Sequence, residues 1–295
     1  MINKQNIKIQ IGGHVSISGG LDKAVQRAYD LGGNIMQVFS GSPRVWQRSD
    51  LAGIDLGKLF AKQEELGVES IIIHTLYLVN LASDQPELVS KSVRSLIYDL
   101  KFDSLVKGSG VVVHLGSHQG RGWDAVKDQL AEKIKYILAE TPEDSHFLIE
   151  NSAGQKGKIA GELTEIRWLL DEINSNRLGW CLDTCHAFAA GYPLVPSSNL
   201  VGKSNKPNLI AAITDLNLWQ TLTCLHVNDS KVEFNTGRDR HENIGDGFIP
   251  QEDLKKFLNQ PQIISQPLIT EVPGVNGKGP DRENIDRIKQ LVGII

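Results

Sequence analysis

The sequence predicts an α/β chain folded as one (β/α)8 TIM barrel, a single domain over residues 1–295 with its chemistry at the C-terminal ends of the strands. Three observations predict it. Eight short apolar runs alternate with segments of helical length and pattern, the arithmetic of eight strand-helix units in a chain of this size. The runs are near-continuously apolar, as parallel strands buried on both faces are. Most of them close on His, Asp or Glu, which favours the barrel over a doubly wound open sheet, because a barrel gathers residues from several strand ends at one mouth.

The first run, Lys8 to Val15, ends near His14, and Gly19, Gly20 and Asp22 open a helix through Leu31. The second, Asn34 to Ser40, leads into the loop Gly41 to Arg48, which carries Arg44, Trp46 and Arg48. A helix near residues 57–66 precedes the third run, Val68 to His74, and an amphipathic segment over 87–107 precedes the fourth, Gly110 to His114. Phe147 to Glu150, Leu178 to Asp183, Leu222 to His226 and Pro267 to Glu271 complete the set. By this reading His74, His114, Glu150, Asp183, His226 and Glu271 ring one mouth.

Composition narrows the class. With 40% hydrophobic residues the chain can bury a full core, and no low-complexity linker, heptad run or sequence repeat divides it. No apolar stretch approaches the roughly 20 residues that span a bilayer, and the start, Met1 to Lys8, lacks a signal-peptide core. A cytoplasmic, membrane-free protein is expected. Cys181, Cys185 and Cys224 are an odd number in or beside apolar runs, with no Cys-x-x-Cys pair, and read as reduced, buried thiols rather than a zinc-thiolate site. The formal charge of −4 argues against an anionic partner. Bound divalent cations would reverse that argument locally, since such ions are the largest charges in their site.

The strand-end residues suggest such ions. In Leu178-Gly-Trp-Cys-Leu-Asp-Thr-Cys-His186, an apolar run delivers Asp183 and then His186, a spacing that suits a divalent metal but that, taken alone, is more often a helix N-cap followed by an ordinary histidine. Glu150 and Glu271 follow Phe-Leu-Ile and Leu-Ile-Thr, so both are expected to be buried, and a buried carboxylate needs a cation or strong donors. The basic groups at the same strand ends are histidines, which serve better as zinc ligands than as counter-ions. Asp239 and His241 stand two apart, so in extended chain they point the same way and could grip one ion with His186.

At this point longer phrases carry a resemblance. Gly12-Gly-His-Val-Ser16, His74 with Tyr77-Leu-Val-Asn-Leu81, His114-Leu-Gly-Ser-His118, Ile149-Glu-Asn-Ser-Ala-Gly-Gln155, Leu182-Asp-Thr-Cys-His-Ala-Phe-Ala-Ala-Gly-Tyr192, Asn228-Asp-Ser-Lys231, Asp239-Arg-His241 and Thr270-Glu-Val-Pro273 occur in that order. Together they resemble the endonuclease IV family of apurinic/apyrimidinic endonucleases over nearly the whole chain. The resemblance implies a monomeric, zinc-dependent DNA-repair hydrolase. It would cut duplex DNA 5′ to an abasic site, leaving 3′-hydroxyl and 5′-deoxyribose phosphate ends, with 3′-end cleaning as an accompanying activity that the residues do not specify.

Carried over residue by residue, the resemblance implies three zinc ions (Zn2+). His74, His114 and Glu150 would hold one; Glu150 would bridge to a second held also by Asp183, His226 and Glu271; and His186, Asp239 and His241 would hold the third. Glu150, between two ions, is the expected catalytic residue. Five histidines with four carboxylates suit zinc better than the all-oxygen preference of magnesium. Arg44 and Tyr77 occupy positions that in the family insert at the lesion, and Trp46 would either stack there or anchor its loop. His14 and His118 are expected to support the ligands and His146 to lie at the surface. Leu115 replaces a usual Pro, Gly13 a usual Ala, and Phe234-Asn-Thr-Gly-Arg238 displaces a glycine in the loop that presents Asp239 and His241. None of these removes a ligand. The alternative reading is a xylose isomerase-like sugar isomerase or epimerase, which shares the fold but would leave the Asp239-His241 pair and the Arg44 loop without a role.

Overall fold

A computed structural model describes residues 8–155 and 157–295. The stretch before Lys8, on which the absence of a signal-peptide core was read, lies outside the described residues.

All eight apolar runs form strands of one closed parallel barrel. In chain order these are β1 (Ile11–His14), β2 (Ile35–Phe39), β3 (Ser70–His74), β4 (Val111–Val113), β5 (Phe147–Glu150), β6 (Leu178–Asp183) and β7 (Leu222–His226), and the last barrel strand is β10 (Leu268–Thr270). Each barrel strand pairs with the next along the chain, and β10 closes on β1 with Ile11 opposite Leu268. Between β7 and β10 lies a two-stranded antiparallel ribbon, β8 (Asp229–Ser230) and β9 (His241–Glu242), with β8 buried. β4 and β10 stop one residue early, so His114 and Glu271 begin loops rather than end strands.

The helices pack around the barrel. They are α1 (Leu21–Asp30), α2 (Leu56–Leu66), α3 (Pro86–Leu105), α4 (Lys127–Ala139), α5 (Leu163–Ile173), α6 (Thr184–Ala189), α7 (Leu209–Asp215), α8 (Gln251–Leu258) and α9 (Arg282–Val292). The expected helices at 22–31, 57–66 and 87–107 all form, with ends displaced by one or two residues. Side-chain oxygens of Asp55, Asn208 and Asp281 accept from backbone N–H groups in the first turns of α2, α7 and α9, satisfying donors that a helix start leaves unpaired. No described helix is long and apolar enough to cross a membrane.

Two cores follow from the pleat. Between barrel and helices lies the larger one, which includes Val38, Ile73, Val113, Ile149 and Leu182. Inside the barrel, Ile35, Ile72, Val112, Leu148, Cys181, Cys224 and Ile269 form a closed apolar plug. Gly12 keeps β1 out of that plug, since a β-carbon there would fall 2.0 Å from the Ile35 carbonyl oxygen. Side chains two apart on a strand share a face. Each plug residue therefore has a partner one layer nearer the C-terminal mouth: Ile35 and Gln37, Ile72 and His74, Val112 and His114, Leu148 and Glu150, Cys181 and Asp183, Cys224 and His226, Ile269 and Glu271. The apolar plug thus supports a polar layer.

Candidate metal centre

Glu150 lies at the centre of that layer, its side chain fully buried. Oε2 faces His74 Nε2 at 3.3 Å and His114 Nε2 at 3.1 Å, while Oε1 faces His226 Nδ1 at 3.0 Å and His186 Nδ1 at 3.3 Å. His226 Nδ1 in turn lies 3.3 Å from Glu271 Oε2 and 3.9 Å from Asp183 Oδ2. Donor atoms of His74, His114 and Glu150 fall within 4.8 Å of one another, and so do those of Glu150, Asp183, His226 and Glu271.

A third group forms around His186 and His241. Asp183 meets both histidines, its Oδ2 3.8 Å from His186 Nδ1 and 3.4 Å from His241 Nε2. Asp239 meets them too, with Oδ1 3.2 Å from His186 Nε2 and 3.5 Å from His241 Nε2, but its side chain is 46% exposed. All nine residues singled out in the sequence are therefore brought together. The structure adds Asp183 to the third group, which the sequence alone had assigned to His186, Asp239 and His241.

Backbone and side-chain partners aim these groups. Asp183 is the N-cap of α6, its Oδ1 accepting from His186 N at 2.8 Å, and its Oδ2 accepts from Asn228 Nδ2 at 2.7 Å. The N-cap reading of the Asp-x-x-His pair is thus realised, and the cap leaves Asp183 Oδ2 facing the histidines. Asn151, just past β5, accepts from Asp183 N at 2.6 Å, and its carbonyl lies 3.0 Å from His186 Nδ1. His74 Nδ1 lies 2.7 Å from the Thr75 carbonyl. A carbonyl can only accept, so both histidines carry a proton on Nδ1 and turn Nε2 toward the neighbouring carboxylates.

The electrostatics match this crowding. Burial pushes against ionising Glu150, yet His114 and His226 hold its carboxyl well below the ordinary range, and Glu271 is lowered in the same way by His226, His14 and His74. Asp183 and Asp239 are also lowered, against burial, by His186 and His241. Burial opposes charging His226 too, but Glu271 and Glu150 outweigh it and push the imidazole up to about 10. His114 goes the other way, down to about 4, because burial there exceeds the pull of Glu150. Three carboxylates in one buried layer, with Asp239 at its edge, call for compensating positive charge.

Divalent cations fit that demand. His186 Nε2 and His241 Nε2 are buried with no hydrogen-bond partner among the described residues, although carboxylate oxygens approach both within 3.5 Å. Lone pairs that converge without hydrogen-bonding geometry suit an ion between them, and the mixed imidazole and carboxylate set suits zinc. No cysteine belongs to the nine. Cys181, Cys185 and Cys224 are free and buried, as expected, and burial raises the Cys181 thiol well above its ordinary value. Cys181 and Cys224 do pair across β6 and β7 and approach His226 from below, a juxtaposition that no spacing in the sequence signals.

The remaining candidates divide. Tyr77 is 64% exposed at the rim, edge-on to Phe39 at 5.3 Å, and Arg44 is exposed in the neighbouring loop. Tyr77 lines a cavity of about 600 Å³ that opens onto His74, His114, His186, His241 and Glu271. Trp46 packs against the core and so anchors its loop. Arg48 continues the anchor, donating to Ser95 Oγ at 2.7 Å and pairing with the buried Asp99 at 3.1 Å. His14 lies 3.3 Å from Glu271 Oε1. His118 Nδ1 instead accepts from Gly120 N and Gly122 N and shapes a loop, and His146 is half-buried at the opposite, N-terminal end of β5 rather than at the surface. Sequence reading missed Gln37, a fully buried amide in the ligand layer. Its position two residues after a plug residue was the available signal.

The whole chain has known relatives. The profile of a family described as Xylose isomerase-like TIM barrel matches residues 25–291. A probable endonuclease 4 of Halothermothrix orenii is 34% identical over 283 residues, spanning 96% of this chain and 100% of that protein. One from Methanoculleus marisnigri is 35% identical over 97% of this chain and 99% of its own length. Among solved structures, endonuclease IV from Thermus thermophilus superposes with a TM-score of 0.82 at 30% identity, covering 97% of this chain and 100% of that one. A D-tagatose 3-epimerase-like protein superposes with a TM-score of 0.73 at 16% identity, a likeness of fold alone.

Proposed function

The chain belongs to the endonuclease IV family, within the xylose isomerase-like TIM barrels, and from that premise we propose that it hydrolyses the DNA phosphodiester 5′ to an abasic site. The products would be a 3′-hydroxyl and a 5′-deoxyribose phosphate. The observation that carries the reading is the division of Glu150, one oxygen toward His74 and His114 and the other toward His226 and His186. A carboxylate so placed could serve both the His74 and His114 group and the Asp183, His226 and Glu271 group.

His74, His114 and Glu150 would hold one zinc ion, Glu150, Asp183, His226 and Glu271 a second, and His186, Asp239 and His241 a third. When bound, zinc supplies a nucleophile from water at neutral pH and positive charge for the phosphate oxygens. The chain's own residues do the rest. Asn151 and the Thr75 carbonyl keep His186 and His74 oriented before substrate arrives, so little reorganisation remains at the moment of reaction. Tyr77, exposed at the cavity, and Arg44, exposed in the loop after β2, would enter the duplex at the lesion, where no base has to be unpaired to turn the sugar out. An abasic site offers no base edge, so selection would rest on shape and deformability. The enzyme is taken to act as a monomer inside the cell.

The test is zinc quantitation of the purified protein together with incubation of a duplex carrying a tetrahydrofuran abasic analogue. About three equivalents of zinc and a nick on the 5′ side are expected. Absence of nicking alongside interconversion of ketose and aldose sugars would replace this reading with the isomerase one.

A further inference from the structure

Gln37 lies on β2, three strands away from β7 in the closed order, yet its carboxamide spans two of the nine clustered side chains. Its Oε1 lies 2.8 Å from His226 Nε2, and its Nε2 donates to Glu271 Oε1 at 2.6 Å. The same Nε2 lies 3.0 Å from His14 Nδ1. The side chain is wholly buried and rests on the plug through Ile35.

The amide can be oriented only one way. Reversed, its oxygen would face the Glu271 carboxylate and its NH2 would face a His226 nitrogen that then could not carry a proton. In the observed orientation both amide protons and the carbonyl oxygen have partners. The consequence falls on the ligands. Because Gln37 Oε1 accepts, His226 keeps a proton on Nε2, which leaves Nδ1 as the atom facing Glu150, Glu271 and Asp183. Because Gln37 Nε2 donates to Oε1 of Glu271, Oε2 is the oxygen turned to His226 Nδ1 at 3.3 Å.

We infer that Gln37 is a positioning residue that fixes the His226 tautomer and the Glu271 rotamer and so sets the affinity of the cation held by Glu150, Asp183, His226 and Glu271. This rests on the zinc reading given above. Its side-chain hydrogen bonds fall on His226, Glu271 and His14, so its influence should fall first on the ion that His226 and Glu271 would hold. Groups that orient metal ligands from behind are typically worth 10–100-fold in metal affinity.

The experiment is competition between the zinc-loaded protein and a chromophoric zinc chelator, in wild type, Q37M, Q37N, E271Q and the Q37M/E271Q double variant. Methionine keeps the unbranched shape and removes both hydrogen bonds, while asparagine keeps the amide on a chain one methylene too short to span the pair. Each Gln37 variant is expected to release one ion of the three roughly 10–100-fold more readily and to hold the others as wild type does. In the double variant the Gln37 effect should shrink but persist, since E271Q removes only the contact to Glu271 and leaves the one to His226. Unchanged release of all ions from both Gln37 variants would overturn the inference, as would equal weakening of every ion, which marks general structural damage. A wild-type protein that takes up no zinc would instead remove the zinc reading itself.

Discussion

Glu150 reaches past β6 to bring its Oε1 within 3.0 Å of His226 Nδ1, joining strands that do not touch in the barrel order. That contact depends on barrel curvature, which turns alternate side chains of β5, β6 and β7 toward one axis. The same carboxylate uses its other oxygen 3.1 Å from His114 Nε2, so a single side chain connects the two halves of the layer.

Glu150→Gln should fold, because a neutral amide of the same shape is easier to bury than a carboxylate. It should lose zinc and lower single-turnover cleavage of an abasic duplex on the order of 10²–10³-fold, the scale of removing one preorganised electrostatic group. Zinc content by atomic emission and the nicking rate check this. Full turnover in the variant would place the chemistry elsewhere.

Arg44→Ala and Tyr77→Ala should leave zinc content and melting temperature near wild type, since both side chains are exposed. Both should weaken binding to an abasic duplex. For Tyr77 the loss is expected to be about 1–3 kcal/mol, the range for stacking contacts. For Arg44 the slope of log affinity against log salt should fall by about one. Fluorescence anisotropy over a salt series distinguishes the two.

Arg48→Ala should destabilise the chain by about 3–5 kcal/mol, because it strands Asp99 as a buried charge. Burial already pushes the Asp99 carboxyl up to about 6 even with Arg48 beside it. Adding Asp99→Asn should recover much of that loss, a coupling that urea denaturation of the two single variants and the double variant would measure. No recovery would mean that Arg48 acts only through its packing on Tyr98.

Asp103 gives a pH dependence independent of any metal. Burial pushes its carboxyl up to about 7, only partly offset by the N–H groups of Gly110 and His146, and its Oδ2 has no partner among the described residues. A raised acid pKa means the folded chain binds more protons than the unfolded one between about 4 and 7. Stability from this group therefore falls as pH rises through that window, and the cost is complete above it. Asp103→Asn, which keeps the acceptor for Gly110 N, should remove a slope of up to about 1.4 kcal/mol per pH unit. Melting curves from pH 4 to 8 that are parallel in the two proteins would exclude Asp103 as the source.

The architecture and most of the site were legible in the sequence because both are local properties. A buried parallel strand must be apolar along its length, so Val111 to Val113 or Leu178 to Leu182 cannot be mistaken for half-exposed chain, and a polar residue just beyond such a run can only lie at the mouth. Pairings between remote residues were decided by the tertiary structure alone. Cys181 meets Cys224 through the register of β6 and β7, Gln37 spans His226 and Glu271 only because β10 closes on β1, and the contacts of Asp183 with His241 and of Arg48 with Asp99 depend on how loops and helices pack on the barrel. Residue spacing along the chain carries the side on which a group emerges; only the closed barrel sets the few ångströms between groups that emerge on the same side.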